Sequence, residues 1–304
     1  MVIGNVLFPT WFFQGMEKMK YISILNVLSQ IIFTISIFIF IKNASDYLYV
    51  PLLNSIGLII GGILGLRVVY KEFNIKLKIP SYDSVKYQLI EGWHLFLSTV
   101  AISLYTTSNT FILGLLTNNV IVSYYAVAEK IVIAVMGALL PISQTFYPYV
   151  SKKANESKEN AIAIIKKITL IMGTIGLILS LILFIFAEPI VNILFGNQYS
   201  SAIPVLRILA FIPLIVGLSN VFGIQTMLTF NYKKAFSRII VIMGILNVIL
   251  ALILISFYQQ IGTALAFLIT ETLITLTMFL YLHHKGIILL NLDSIKNIKM
   301  LFKN

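Results

Sequence analysis

Residues 168–187 read ITLIMGTIGLILSLILFIFA, twenty positions without a charge, bounded by Lys166 and Lys167 on one side and Glu188 and Pro189 on the other. A helix crossing roughly 30 Å of hydrocarbon needs about 20 such residues, because every backbone polar group must be bonded within the segment. This stretch is therefore long enough to span a bilayer. Working outward from it, residues 21–41 are of the same kind, and 51–70 match them but for Arg67 near the end. The uncharged run at 95–128 is too long for one crossing and must turn, and Thr117, Asn118 and Asn119 are its polar point. The run at 239–270 likewise breaks at Tyr258, Gln259, Gln260, Ile261 and Gly262. With 120–147, 204–228 and 262–282 the sequence predicts eight complete spans. Ahead of them, residues 1–13 form an apolar stub too short to cross.

Composition agrees. Of 304 residues 59% are hydrophobic and 11% charged, against roughly 45–50% and about 25% in soluble domains. The mean hydropathy of +0.97 excludes an ordinary soluble domain. A net charge of +11 would suggest nucleic acid as the partner of a soluble chain. On a membrane chain the basic residues are topology markers, and no nucleic acid is expected. The chain has no cysteine, three aspartates (Asp46, Asp83, Asp293) and three histidines (His94, His283, His284). It has neither an HExxH motif nor a Gly-Lys pair for a phosphate loop. Catalytic residues, a bound metal, a cofactor and an ATPase are accordingly not expected.

Short cytoplasmic loops are enriched in Lys and Arg. Of the 22 cations here, 19 fall in alternate loops, and only Lys42, Lys130 and Arg207 lie elsewhere. The Lys-rich side is read as cytoplasmic, and the C-terminus lies on it. The stub then descends from the outer side and leaves Met1 within the bilayer, which reads as a fragment lacking its upstream part. It has no basic residues ahead of its apolar stretch, so it is not a signal peptide.

The chain also echoes itself. Shifted by 214 residues, Lys20 falls on Lys234, Ser23 on Ser237 and Lys71 on Lys285, with spans over spans. Both copies begin and end on the Lys-rich side, as in parallel repeats related by an axis along the membrane normal. Residues 1–85 are then the remainder of an N-terminal lobe, and 86–304 a C-terminal six-helix lobe with a cytoplasmic tail.

The segment Phe8-Pro9-Thr10-Trp11-Phe12-Phe13-Gln14-Gly15-Met16-Glu17-Lys18-Met19 resembles a signature of Wzx-type flippases of O-antigen and other polysaccharide repeat units. Further matches, in order, are Ser103 to Gly114 (SLYTTSNTFILG), Tyr124 to Lys130 (YYAVAEK), and Phe195-Gly196 through Tyr199 and Ala202 to Pro204, Leu206 and Arg207. The resemblance implies an all-α polytopic membrane protein of the multidrug/oligosaccharidyl-lipid/polysaccharide exporter superfamily. Its MATE-like fold sets twelve helices in two lobes around a central cavity. Eight full transmembrane helices and a partial one are present here, the first three and most of the fourth being missing.

Ionisable residues at membrane depth are costly and so are functional candidates. Glu129 lies ten residues past Asn119 and Glu271 eleven past Gln260, each about 15 Å down a helix. Both suit a proton or sodium site, or else act as buried glutamates bonded to a neighbouring helix. Lys130 facing a cavity would attract the pyrophosphate of a lipid-linked sugar; an interhelical salt bridge is the other reading. Arg207 would meet the headgroup as it leaves, or snorkel to the outer surface. Tyr105 and Asn109 share a helix face and offer polar partners to sugars, or to another helix. Trp11, Gln14, Gly15 and Glu17 of the signature form a gate, or a simple interfacial anchor. Gly57, Gly61 and Gly65, four apart, read as helix packing.

The expectation is a flippase, not an enzyme, in the bacterial inner membrane. It would move undecaprenyl-pyrophosphate-linked oligosaccharide by ion-coupled alternating access, with that lipid, bilayer lipids, the ion and other polysaccharide assembly proteins as partners. The alternatives are a multidrug or cation antiporter of the same superfamily, a polysaccharide polymerase or ligase, and a nonfunctional gene remnant. A polymerase or ligase calls for a sizeable outer loop with Arg, His or Asp. The longest here, 188–203, carries only Glu188.

Overall fold

The computed structural model describes residues 2–43, 46, 49–73, 80–137 and 139–289. Lys76, Lys78 and the expected cytoplasmic tail with Lys296, Lys299 and Lys303 lie outside them. Every regular element among the described residues is helical. Seven stretches are long and apolar enough to cross a membrane, so the chain is a multi-pass membrane protein. It divides into two compact units, Met1–Val85 and Lys86–Asn304.

The first unit holds α1 (Val2–Leu7), α2 (Thr10–Gly15), α3 (Met19–Phe40) and α4 (Val50–Phe73). The predicted stub is thus helical but broken at Phe8 and Pro9. Apolar burial gives helices little reason to associate in lipid, and close backbone approach takes its place. The glycines of α4 supply that approach. A Cβ at Gly62 would sit 2.8 Å from Leu7 Cβ, at Gly65 2.8 Å from Pro9 Cδ, and at Gly57 2.8 Å from the Ser29 carbonyl. Packing is therefore what the four-residue glycine spacing does.

In the second unit α5 (Tyr82–Leu116) is followed by α6 (Asn119–Met136), and the predicted turn is built as expected. Asn118 caps α6, its side chain accepting from the amides of Val120 (3.0 Å) and Ile121 (3.1 Å). The predicted span at 120–147 is not one helix. It ends at Met136 and resumes as α7 (Leu140–Glu156), where Pro141 in the first turn removes a donor that continuation would need. After α8 (Lys158–Ile185), the stretch at 188–203, expected as an outer loop, is itself helical. It contains α9 (Ala187–Phe195) and a 3-10 stretch, Asn197–Ala202. The span at 204–228 is likewise segmented into α10 (Ile203–Leu209), α11 (Ile212–Asn220, with Pro213 in its first turn) and a π-helix, Val221–Leu228. Finally α12 (Lys233–His284) folds back at Gln259, whose φ of 51° interrupts the helix inside the predicted break.

The echo is visible in backbone geometry. At the end of α2, Lys18 N–H donates to Phe13 O (2.8 Å) and Glu17 N–H to Gln14 O (3.0 Å), with Glu17 left-handed at φ 56°. At the end of the π-helix, Tyr232 N–H donates to Met227 O (2.7 Å) and Asn231 N–H to Leu228 O (3.2 Å), with Asn231 at φ 66°. Each residue of the second set is 214 beyond its counterpart. Both are Schellman caps, which normally carry glycine at the left-handed position.

Candidate functional site

The longest-range side-chain hydrogen bond of the second unit's interior joins α5 to the second half of α12. Tyr105 Oη donates to Glu271 Oε1 at 2.6 Å, with both residues buried. One small residue makes room for the pair. A Cβ on Gly244 would stand 3.3 Å from Tyr105 Cδ1, so the ring lies directly on the first half of α12, and Phe267 stands 6.3 Å away across the ring centroids. One turn beyond Glu271, Thr275 returns its hydroxyl to the Glu271 carbonyl at 2.8 Å.

Other buried polar groups stand on the same helices. Asn247 Nδ2 donates to Thr270 Oγ1 (3.0 Å) and to the Ala266 carbonyl (3.3 Å), stitching the two halves of α12 together. Its Oδ1, and both side-chain atoms of Asn109, are buried without a hydrogen-bond partner. Asn109 is wholly enclosed, one turn along α5 from Tyr105. Buried polar atoms of this kind are rare unless they serve a purpose. The structure thus brings Tyr105 and Glu271 together and sets Tyr105 and Asn109 inside the second unit, not on an exposed wall.

Glu129 is half-buried on α6. Tyr125, one turn before it and fully buried, sets its hydroxyl beside the carboxylate. Both carboxylates singled out by sequence are therefore accompanied by a buried tyrosine. Lys130 is exposed, as is Arg207 in the last turn of α10; neither forms an ion pair among the described residues. Ahead of α3, Phe13 is buried against Tyr21 (5.3 Å between centroids), and Phe12 packs edge-on against Phe73 (5.1 Å). Trp11, Gly15 and Glu17 stay exposed and Gln14 is intermediate.

Sequence reasoning missed two features. Asn247 and Thr270 escaped because neither is charged. A second buried network joins α7 to the π-helix: Gln225 Nε2 donates to the Ser143 carbonyl (2.8 Å), and Ser143 Oγ to Asn220 Oδ1 (2.5 Å). It borders a cavity of about 60 Å³ between α6, α7, α8 and α11. Outside the spans, Lys153 holds the Glu156 carboxyl below the usual carboxylate range by a direct 2.6 Å hydrogen bond and its charge. Groups that could hold a metal ion are absent among the described residues.

Helices of this length, arranged this way, are the fold of MATE transporters. A solved outward-facing multidrug-resistance MATE family transporter superposes with a TM-score of 0.74 over 93% of this chain and 66% of that one, at 16% identity. Residues 1–154 match the family described as polysaccharide biosynthesis protein. A protein of Escherichia coli (strain K12), provisionally named an O-antigen transporter, is 36% identical over 287 residues, covering 94% of this chain and 69% of its own length. A protein of Shigella dysenteriae with the same provisional name is 28% identical over 90% of this chain and 69% of its own. The chain belongs to the polysaccharide biosynthesis protein family.

Proposed function

We propose that the protein is a flippase that carries an undecaprenyl-pyrophosphate-linked oligosaccharide, a repeat unit of O-antigen, capsule or similar polysaccharide, to the outer leaflet of the bacterial inner membrane. Alternating access would be driven by an ion gradient, with the C-terminus cytoplasmic and the two units as parts of the two lobes. The family and the names of its relatives support the cargo. A drug antiporter has only the shared fold in its favour.

The observation that carries the coupling role is the Tyr105–Glu271 bond at membrane depth. Among the described residues the carboxylate's hydrogen-bond partner is a neutral phenol, not a cation. Gaining or losing a proton therefore changes the net charge of the lobe interior, and the hydrogen bond must rearrange with it. Glu271 is the coupling residue in this reading and Glu129 its second carrier. Lys130, exposed beside Glu129, meets the pyrophosphate, and Arg207 the departing headgroup. Tyr105 positions Glu271 in place of touching sugar, Asn109 stands one turn away with its side chain unpartnered, and Trp11, Gln14, Gly15 and Glu17 gate the cytoplasmic side.

The test is complementation of surface polysaccharide in a host lacking the protein. Glu271→Gln, which cannot cycle a proton, is expected to abolish export at normal membrane abundance, whereas Glu271→Asp retains part of it. Wild-type export by Glu271→Gln overturns the coupling role.

A further inference from the structure

At the Lys-rich end of the second unit a recess of about 550 Å³ opens between three stretches of chain. Glu91 and His94 of α5 line one side, Tyr232, Lys233 and Lys234 another where α12 begins, and Tyr281 the third where α12 ends. Its walls therefore belong to one unit. Tyr232 and Tyr281 pack edge-on at 5.6 Å between centroids, tying the start of α12 to its end, and the left-handed cap at Asn231 sets how the chain turns into Lys233. Depth follows from α5. Its 35 residues exceed the roughly 20 that cross hydrocarbon, and counting about that many back from Leu116 reaches Leu97, so Glu91 and His94 lie at headgroup level.

The charges around the recess are unevenly matched. Lys233 donates to the Glu91 carboxylate, which stays half exposed. Lys234 is exposed and forms no ion pair among the described residues. Lys285, just past α12, brings a third ammonium to 5.8 Å from the centroid of the Tyr281 ring. An ion pair this open to water is worth little, so an anion of higher charge can take the place of Glu91 on Lys233. His94 and Tyr281 add an N–H and an O–H donor to the lining. The space is far larger than a single small ion needs.

We propose that this recess captures the diphosphate headgroup of the lipid-linked cargo at the membrane surface, before the cargo enters the lobe, an inference that rests on the flippase reading above. The diphosphate displaces Glu91 from Lys233 and gains Lys234 as a second cation. Glu91 is the placeholder that holds the Lys233 ammonium at the recess while it is empty. It also sets the threshold for entry: an ordinary anionic phospholipid brings one phosphodiester charge and competes poorly with a carboxylate already in position, whereas a diphosphate brings more.

The chain has no cysteine, so Ile90→Cys, on the rim of the recess, places a reporter thiol there. The complete protein carrying it is reconstituted in phosphatidylcholine nanodiscs, and its labelling by an uncharged maleimide is timed with undecaprenyl pyrophosphate or, separately, the same amount of phosphatidylglycerol added to the discs. Undecaprenyl pyrophosphate is expected to slow labelling roughly tenfold, the scale of charge-assisted hydrogen bonds, and phosphatidylglycerol to leave it nearly unchanged. Lys233→Gln with Lys234→Gln should remove the protection, whereas Glu91→Gln should lower the amount of undecaprenyl pyrophosphate needed by about threefold, the scale of an exposed ion pair. No protection in the parent, or protection that survives loss of both lysines, overturns the capture site. Equal protection by phosphatidylglycerol makes the recess a general anionic-lipid site and overturns its diphosphate role. Full surface polysaccharide after deletion of the protein defeats the flippase reading and the cargo role with it; the protection pattern still decides whether the recess binds a diphosphate.

Discussion

Tyr105 and Glu271 are 166 positions apart and meet at 2.6 Å, and nothing in the sequence announces the meeting. The depth of Glu271 was legible, since counting residues from a polar turn at a fixed rise puts it near mid-membrane. Pairing was not, because it depends on which helix faces touch, and a nearly uniform apolar background hides the helical phase. From sequence Tyr105 therefore reads as a sugar contact or a helix-to-helix bond, and Glu271 as an ion site or a glutamate bonded to a neighbouring helix, with nothing to join the two. Tyr105→Phe removes only the hydroxyl and leaves the ring on Gly244. Hydrogen bonds to charged groups contribute about 1.5–3 kcal/mol, so export through this variant should fall roughly tenfold to a hundredfold without loss of folded protein. Measured against Glu271→Asp in one background, the double variant should do no worse than Glu271→Asp alone. Additive losses would show that the two act separately. At the left-handed caps the side chain opposes the backbone. Asn231→Gly should leave stability unchanged or slightly higher, whereas Asn231→Val should lower it by about 1–2 kcal/mol, read as thermal unfolding in detergent.

For whole elements, the legible features were those with a local chemical signal. Asn118 caps α6 where a polar triplet interrupts the apolar run. The α4 glycines pack as their spacing indicates. What hydropathy conceals is segmentation, because an average over some 20 residues treats proline as one more mildly apolar position. Thus Pro141 and Pro213 open new helices inside stretches that read as single spans, and the π-helix at Val221–Leu228 leaves no compositional trace. The glycine face can be tested one side chain at a time. Gly62→Leu would drive its side chain into Leu7 and the adjoining backbone, where a Cβ alone stands 2.8 Å from Leu7 Cβ. Overpacking of this sort costs about 1–3 kcal/mol. The first unit should then become sensitive to protease and less abundant, while Ile63→Leu, on an exposed position of the same helix, leaves both unchanged.

Across the molecule, the repeat and the distribution of charge bear on the same question, which is how the chain threads the membrane. The paired caps at Glu17 and Asn231 end helices at equivalent places in the two units, and a cation follows each at once, Lys18 and Lys20 after the first, Lys233 and Lys234 after the second. A parallel repeat requires both caps to lie on the same side, and the preference of short basic loops for the cytoplasm chooses which side. An internal topology reporter separates these requirements. Alkaline phosphatase, active only outside, should be inactive when fused after Lys18, Tyr232 or Ser157 and active after Asn118 or Asn197. If the basic loops set the orientation, Lys152→Glu and Lys153→Glu together should weaken but not invert it, because cations in other loops on that side still vote the same way. Active enzyme at Tyr232 with inactive enzyme at Asn118 would reverse the assignment and move the putting-in and letting-out sides of transport with it. Activity at only one of the two caps would break the parallel relationship itself, leaving the matched Schellman turns as a local coincidence.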